Sequence, residues 1–271
     1  MSNVLIIGYG VVGQNLKQEL SALQPDVYDK YTFWDSRRTD HYDVAFVCVP
    51  TPYLGRDKPC DTSEVEAAVA EHDADLFIVK SAVLPGVTDR LCRESGKHII
   101  VSPEYHGSTV HSKNYSFDFT ILGGEKADCL KAVQILQRCY DGRHQFRITD
   151  AKTAELVKYM ENAYLATKVS FCCQFWEIAN KIGVSYPELR ELFLLDPRVN
   201  PSHTFVFDEH PYWDSQCFNK DIPAIADMYN AEFLDAVISY NSRNRSGGRN
   251  YGTGTDTSGS HPHGSICVGD S

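Results

Sequence analysis

Ten residues near the start of the chain constrain its fold more than any others: Val4-Leu5-Ile6-Ile7-Gly8-Tyr9-Gly10-Val11-Val12-Gly13. Four consecutive apolar residues predict a parallel strand covered on both faces, where no polar alternation is needed. The glycines that follow form G-x-G-x-x-G and lead into residues 14–20, which carry a helical pattern. Gly8 suits a tight turn, Gly10 lets a pyrophosphate approach the backbone, and Gly13 lets helix and strand pack closely. The free N–H groups of the helix start would face the phosphates. Strand, glycine-rich turn and helix in this order predict a dinucleotide site.

The next segments continue the alternation. Asp26-Val27-Tyr28-Asp29 predicts a second short strand ending in an acid. Asp29 lies 16 residues past Gly13, close to where an acid takes the ribose hydroxyls of the cofactor. Asp35, six residues on, is the alternative, and an acid at either place favours NAD. Arg37-Arg38 keep NADP open, because guanidinium groups accommodate a 2′-phosphate. Residues 43–49 predict a buried strand closed by Pro50-Thr51-Pro52, which places Thr51 at a strand's carboxyl end, where open α/β sheets bind ligands. Asp61 followed by Glu64 predicts a capped helix over 65–70. Strands follow at 76–79 (running into Lys80-Ser81-Ala82-Val83), at 99–101 (ending in Ser102-Pro103-Glu104) and at 119–124, with a helix over 126–140. This rhythm predicts a doubly wound, mostly parallel sheet of the Rossmann type over residues 1–149. Gly8 to Gly13, Asp29, Pro50, Thr51 and Ser81 are its expected NAD-binding residues.

At Asp150 the pattern changes. Residues 151–182 contain no Gly or Pro and carry helical periodicity through Leu156, Met160, Ala163, Tyr164, Phe171 and Ile178. A helix of that length, about 48 Å at 1.5 Å per residue, exceeds one small domain and predicts a link between lobes and a dimer surface. Gly183 suits its C-cap. Further helices are expected near 186–195 and over 222–240, which makes 150–240 an all-helical second domain. From residue 241 the composition turns to Ser, Gly, Asn, Thr and Arg, with little to bury, and 241–271 reads as a disordered tail. His261 and His263 lie there without ligand spacing, so no metal site is expected.

Composition narrows the partners. A net charge of −10 leaves no basic excess for nucleic acid. No apolar run approaches the roughly 18–20 residues that span a bilayer, and the start reads as a strand rather than a leader. Nine cysteines without a C-x-x-C pair suit reduced, buried thiols and a cytoplasmic setting.

Residues 3–240 resemble the nucleotide-sugar 6-dehydrogenases, the UDP-glucose/GDP-mannose dehydrogenase family. The resemblance rests on an ordered set: Gly8-Tyr9-Gly10-Val11-Val12-Gly13, Val49-Pro50-Thr51-Pro52, Lys80-Ser81-Ala82-Val83, Pro103-Glu104, Ala154-Glu155-Leu156-Val157-Lys158 with Asn162-Ala163, Asp196-Pro197-Arg198, and Cys217-Phe218-Asn219-Lys220-Asp221. It implies NAD-dependent oxidation of a CH₂OH group to a carboxylate through a cysteine thioester, on a substrate such as UDP-glucose, in a homodimer. Cys217 is the expected nucleophile, and a nearby cation such as Lys220 would help ionise a thiol whose free pKa is about 8.5. Lys158 and Asn162, four apart on one helix face with Glu155 three before, would stabilise the reacting oxygen. Glu104 and Asp221 would manage the hydrolytic water, and Arg198 would reach a neighbouring subunit's substrate.

Three departures stand out. Ala82 replaces the family's threonine beside Asp221, with Ser81 adjacent. Trp213-Asp214-Ser215-Gln216 replaces a Gly-Gly approach to the cysteine, so a reshaped or smaller sugar pocket is expected. Fifty residues follow Asp221, and no third, nucleotide-binding domain is expected in them. Two alternatives follow: a single-step dehydrogenase of a smaller substrate, or a non-catalytic or partner-dependent NAD-binding protein.

Overall fold

A computed structural model describes residues 3–105 and 117–246. The strands are β1 (Val4–Ile7), β2 (Asp26–Asp29), β3 (Trp34–Asp35), β4 (His41–Tyr42), β5 (Val44–Val47), β6 (Asp73–Ala74), β7 (Phe77–Val79), β8 (Ile99–Val101), β9 (Phe119–Gly123) and β10 (Gln145–Thr149). The α-helices are α1 (Val11–Glu19), α2 (Ser63–Glu71), α3 (Val87–Ser95), α4 (Lys126–Leu136), α5 (Ala151–Ile182), α6 (Tyr186–Phe193), α7 (Gln216–Tyr229) and α8 (Glu232–Arg245). Eight strands form one sheet in the order β10-β9-β8-β7-β5-β1-β2-β3, and β4 pairs β6 alone.

The central strands β2, β1, β5, β7 and β8 are parallel and nearly all buried. Their side chains alternate between two cores, as the period of two requires. Val4, Ile6, Phe46 and Ile78 pack under α1 and α4. Leu5, Ile7, Val47 and Phe77 pack under α2 and α3. This is the doubly wound architecture the sequence predicts. Both edges depart from parallel: β9 runs antiparallel to β8, so β9 and β10 reverse direction at one edge, and β3 runs antiparallel to β2 at the other.

Helix α5 spans the predicted 151–182. Asp150 caps it by accepting from the Thr153 N–H at 2.9 Å, and Gly183 ends it in the left-handed region at φ 73°. Its first turns dock on the sheet domain, and its middle forms a second core with α7 and α8 through Ala166, Val169, Cys173, Phe218, Ile222 and Val237. The opposite face leaves Leu156, Met160, Tyr164, Phe171, Ile178 and Ile182 exposed.

Several boundaries differ from expectation. The helix expected over 65–70 starts at Ser63, and its N-cap is Thr62 rather than Asp61. The helix expected over 222–240 is two helices, broken where Asn230 turns left-handed at φ 51°. Helix α8 continues to Arg245, past the expected start of the tail. The rest of the predicted tail, with His261 and His263, lies outside the described residues.

Candidate active site

The carboxyl ends of β1, β2 and β5 open into a cleft of about 1000 Å³ that continues along α5 to the start of α7. At its sheet end lies the glycine-rich turn. Gly8 has φ +95°, and a Cβ there would meet the Cys48 carbonyl oxygen at 2.4 Å. A Cβ on Gly13 would meet the Gly8 carbonyl oxygen at 2.1 Å. Both sites therefore require glycine for close backbone approach, whereas nothing lies within 4 Å of a Cβ on Gly10, which faces open space. Gly10 is the N-cap of α1 and supplies no side-chain hydrogen bond, so the helix start keeps donors for an anion.

Asp29 lines this end of the cleft and Asp35 does not. Burial pushes the Asp29 carboxyl up, but hydrogen bonds from the Thr32, Tyr9 and Tyr31 N–H groups outweigh it and hold its pKa below the usual range. Asp35 instead forms an exposed bidentate pair with Arg37. Arg37 lies over the Tyr28 ring at 4.5 Å and Arg38 pairs with Asp26, so neither arginine lines the cleft, and the structure removes their support for NADP. Pro50 lines the cleft. Thr51 and Ser81 lie just behind its wall, donating to the Ala82 carbonyl at 2.7 Å and the Val49 carbonyl at 2.7 Å.

The other end of the cleft gathers Lys158, Asn162, Cys217 and Lys220. Cys217 is exposed in the first turn of α7, which Ser215 caps by accepting from the Phe218 N–H at 3.1 Å. Lys220 and Asp221, three and four residues on, share its helix face. Asp221 is buried between two donors: Lys220 Nζ reaches Oδ1 at 2.6 Å and Asn162 Nδ2 reaches Oδ2 at 2.7 Å. Lys220 also donates to Thr51 Oγ1 at 3.3 Å, which ties the helical lobe to the sheet lobe. Lys158 pairs with Glu161 at 2.6 Å and lies over the Tyr105 ring at 4.9 Å. Glu161 and Tyr105 escaped sequence reasoning, although Glu161 stands at an i,i+3 pairing distance from Lys158.

Several expectations change. The thiol of Cys217 is not lowered: desolvation and then the Asp221 carboxylate push its pKa up, and Lys220 and Lys158 offset only part of this. Lys220 is weakened as an activator because its charge is already paired with Asp221. Glu155 does not join Lys158 and Asn162. Its buried carboxylate accepts from the Gly86 and Thr88 N–H groups at 2.5 and 2.8 Å, capping α3, whose N-cap glycine has no side chain. Trp213, Asp214, Ser215 and Gln216 all line the cleft, and the Trp213 indole also packs in the helical core and donates to Ser170 Oγ at 3.1 Å. Glu104 faces a separate recess of about 40 Å³, paired with Lys80 at 3.2 Å, beside residues outside the description. Arg198 is on an exposed turn, paired with Asp196 at 2.6 Å and away from this chain's cleft.

Comparison with known proteins fits this geometry. Residues 152–243, which cover α5 to α8, match the central domain of the UDP-glucose/GDP-mannose dehydrogenase family. A UDP-N-acetyl-D-mannosamine dehydrogenase of Methanocaldococcus jannaschii is 31% identical over 170 residues, 58% of this chain and 39% of that protein. The stretch from α5 to α8 is thus similar to the central domain of that family. A UDP-glucose 6-dehydrogenase of Rickettsia bellii is 27% identical over 77% of this chain and 50% of its own length. The chain thus spans half or less of these two relatives. A UDP-glucose dehydrogenase structure from Pyrobaculum islandicum shares the fold, with a TM-score of 0.73, 22% identity, and coverage of 89% of this chain and 68% of that one. Among the described residues no helix is long and apolar enough to cross a membrane, and no group of His, Cys, Asp or Glu could hold a metal.

Proposed function

We propose that this chain belongs to the UDP-glucose/GDP-mannose dehydrogenase family and is an NAD-dependent nucleotide-sugar 6-dehydrogenase that works through a thioester on Cys217. The observation that carries the reading is the single cleft that joins the glycine-rich turn to Cys217, Lys158 and Asn162. The cradle fits a dinucleotide: Gly8 and Gly13 hold the turn where any Cβ would collide, and Asp29 stands in the wall beside them. Gly8 to Gly13 would hold the pyrophosphate and Asp29 the adenosine ribose. When bound, NAD supplies the hydride acceptor for each oxidation.

The overall change is R–CH₂OH + 2 NAD⁺ + H₂O → R–COO⁻ + 2 NADH + 3 H⁺. Lys158 and the second amide hydrogen of Asn162, the first being given to Asp221, would donate to the oxygen of the reacting carbon. The Cys217 thiolate would add to the aldehyde carbon to give a thiohemiacetal, and the second oxidation would leave an acyl thioester. Water would then break the C–S bond, releasing carboxylate and restoring the thiol, with Asp221 orienting the water. Fixed between Lys220 and Asn162, Asp221 is held for such a role. The apolar stripe on α5 supports a homodimer, which would bring Arg198 of a second copy towards the cleft.

The test is NADH formation, followed by absorbance, with UDP-glucose, GDP-mannose and UDP-N-acetyl sugars in turn. One of the panel should reduce NAD. Flat traces with all of them, beside demonstrated NAD binding, would overturn the reading.

A further inference from the structure

The loop over residues 50–61, after β5, joins the cleft wall to the helix that carries Cys217. Pro50 lines the cleft. Thr51 Oγ1 accepts from Lys220 at 3.3 Å, Tyr53 donates to Asp227 Oδ2 at 2.5 Å, and Arg56 Nε donates to Asp227 Oδ1 at 3.1 Å. Tyr53 and Cys60 pack against Leu84, Tyr159, Ala224 and Ile225. The loop is braced internally: the Asp61 N–H donates to the Pro52 carbonyl at 2.9 Å, and the Leu54 N–H to the Lys58 carbonyl at 3.1 Å. Asp227 is 13% exposed, and this loop supplies a donor to each of its oxygens. It stands ten residues after Cys217 on α7, about 15 Å at 1.5 Å per residue. Pro223 lies between them. Proline has no N–H, so the Asn219 carbonyl lacks its helical donor and the two halves of α7 are joined less tightly than in an unbroken helix. The loop ties both halves to the sheet lobe: Thr51 holds the half with Cys217, and Tyr53 and Arg56 hold the half beyond the proline. Helix α5 has its own hold on that lobe, through Glu155 on the Gly86 and Thr88 N–H groups and through Ala151 and Ala154 packed against Val101. Lys158, one turn after Glu155, is therefore placed without help from the loop.

We propose that Tyr53 and Arg56 are positioning residues for Cys217: through Asp227 they hold α7 so that the thiol captures the aldehyde before the aldehyde leaves. This rests on the thioester reading above and adds to it the residues that commit the intermediate to the second oxidation. In the capture step the Cys217 sulfur bonds to the aldehyde carbon, the carbonyl π bond breaks, and the proton lost by the thiol ends on the oxygen. The first oxidation makes no use of the thiol, and its groups on α5 are anchored separately. A loosened loop should therefore slow the capture step and spare the step before it. A misplacement of about 1 Å can cost about 10²-fold in a reaction of this kind.

The test is Asp227→Ala, which removes both ties, beside Tyr53→Phe and Arg56→Gln, which each remove one; the Arg56 side chain is 70% exposed, so its loss spares the fold. The full chain is given the active nucleotide sugar of the panel, NAD, and a hydrazine that captures free aldehyde. The wild type should give two NADH per sugar and no hydrazone. Asp227→Ala should give closer to one, with hydrazone making up the difference, while the first NADH forms within about twofold of the wild-type rate. The single-tie variants should shift the same way by less. A merely structural role would slow both oxidations together; that result, or two NADH per sugar in Asp227→Ala, would overturn the proposal. A second arm needs no substrate. Hydrogen exchange in residues 216–222 should quicken about tenfold in Asp227→Ala, and unchanged exchange there would equally overturn the proposal. A wild type that binds NAD but oxidises no sugar of the panel would instead overturn the dehydrogenase reading, and the exchange arm would still decide whether the loop holds the Cys217 turn.

Discussion

Replacing Lys220 with methionine should make Cys217 a poorer nucleophile, and replacing Asp221 with asparagine should make it a better one. The two side chains form a 2.6 Å ion pair beside the thiol, with opposite effects on it: Asp221 pushes the pKa up and Lys220 pulls it down. Residues three and four apart on a helix lie about 6 Å from each other. Coulomb's law at that distance gives about 0.7 kcal/mol in water and about 2.8 kcal/mol at an effective dielectric of about 20. Those energies are factors of about 3 and about 100 in thiolate fraction. Cys217 is exposed to the cleft, so the lower part of that range applies, about three- to tenfold for each variant. The assay is the rate of iodoacetamide alkylation between pH 6 and 10, with the modified peptide identified by mass spectrometry. Cys217 is the one exposed cysteine among the described residues, which keeps its signal separate. The thiol pKa should fall in Asp221→Asn and rise in Lys220→Met. Unchanged profiles, or the reverse order, would refute the electrostatic account of this site.

Other outcomes follow from the same structure. Gly13→Ala places a Cβ 2.1 Å from the Gly8 carbonyl oxygen. Because backbone must move, it should cost about 3 kcal/mol, lower the melting temperature by about 5–10 °C, and weaken NADH binding at least tenfold; a variant that melts and binds like wild type would show that the turn is not so tight. Glu155→Ala leaves the first N–H groups of α3 without their acceptor and should cost about 2–3 kcal/mol in urea unfolding, whereas unchanged stability would remove Glu155 from its capping role. Burial holds the His72 pKa below its ordinary value of 6.5, so the unfolded chain takes up a proton that the folded chain refuses. Stability from this source is complete above pH 6.5 and is lost as pH falls towards the folded pKa. The stability gap between wild type and His72→Phe should therefore be smaller at pH 5.5 than at pH 7.5, and a wider gap at pH 5.5 would reverse the sign of the argument.

What could be read from the chain follows the physics of each segment. The glycine-rich turn was legible because Gly8 and Gly13 each exclude a Cβ for steric reasons local to the motif. Helix α5 was legible at both ends because Asp150 and Gly183 are chemical stop signals and nothing between them breaks a helix. Strand β10 was missed because it lies at a sheet edge with Gln145 and Arg147 exposed, which mimics a loop. Helix α3 was missed because it buries only Thr88 and Leu91. The break between α7 and α8 rests on a left-handed asparagine, a weaker signal than glycine. In the site, spacing paired Lys158 with Asn162 and Cys217 with Lys220, since each pair is set by helical periodicity, while the resemblance alone put the two pairs in one cleft. It misassigned Glu155, which shares the helix face of Asn162 but sits two turns lower, opposite α3 and not the cleft. It also overstated Lys220, because the residue that neutralises a charge is invisible until the side chains have directions.

The most direct test of the central claim is the number of NADH molecules formed per nucleotide sugar consumed, measured for wild type and for Cys217→Ser with the active substrate of the panel. The account predicts two in the wild type, and loss or stalling of turnover in the variant, because no thioester can form. One NADH per sugar, or two that survive the loss of the thiol, would contradict the role assigned to Cys217.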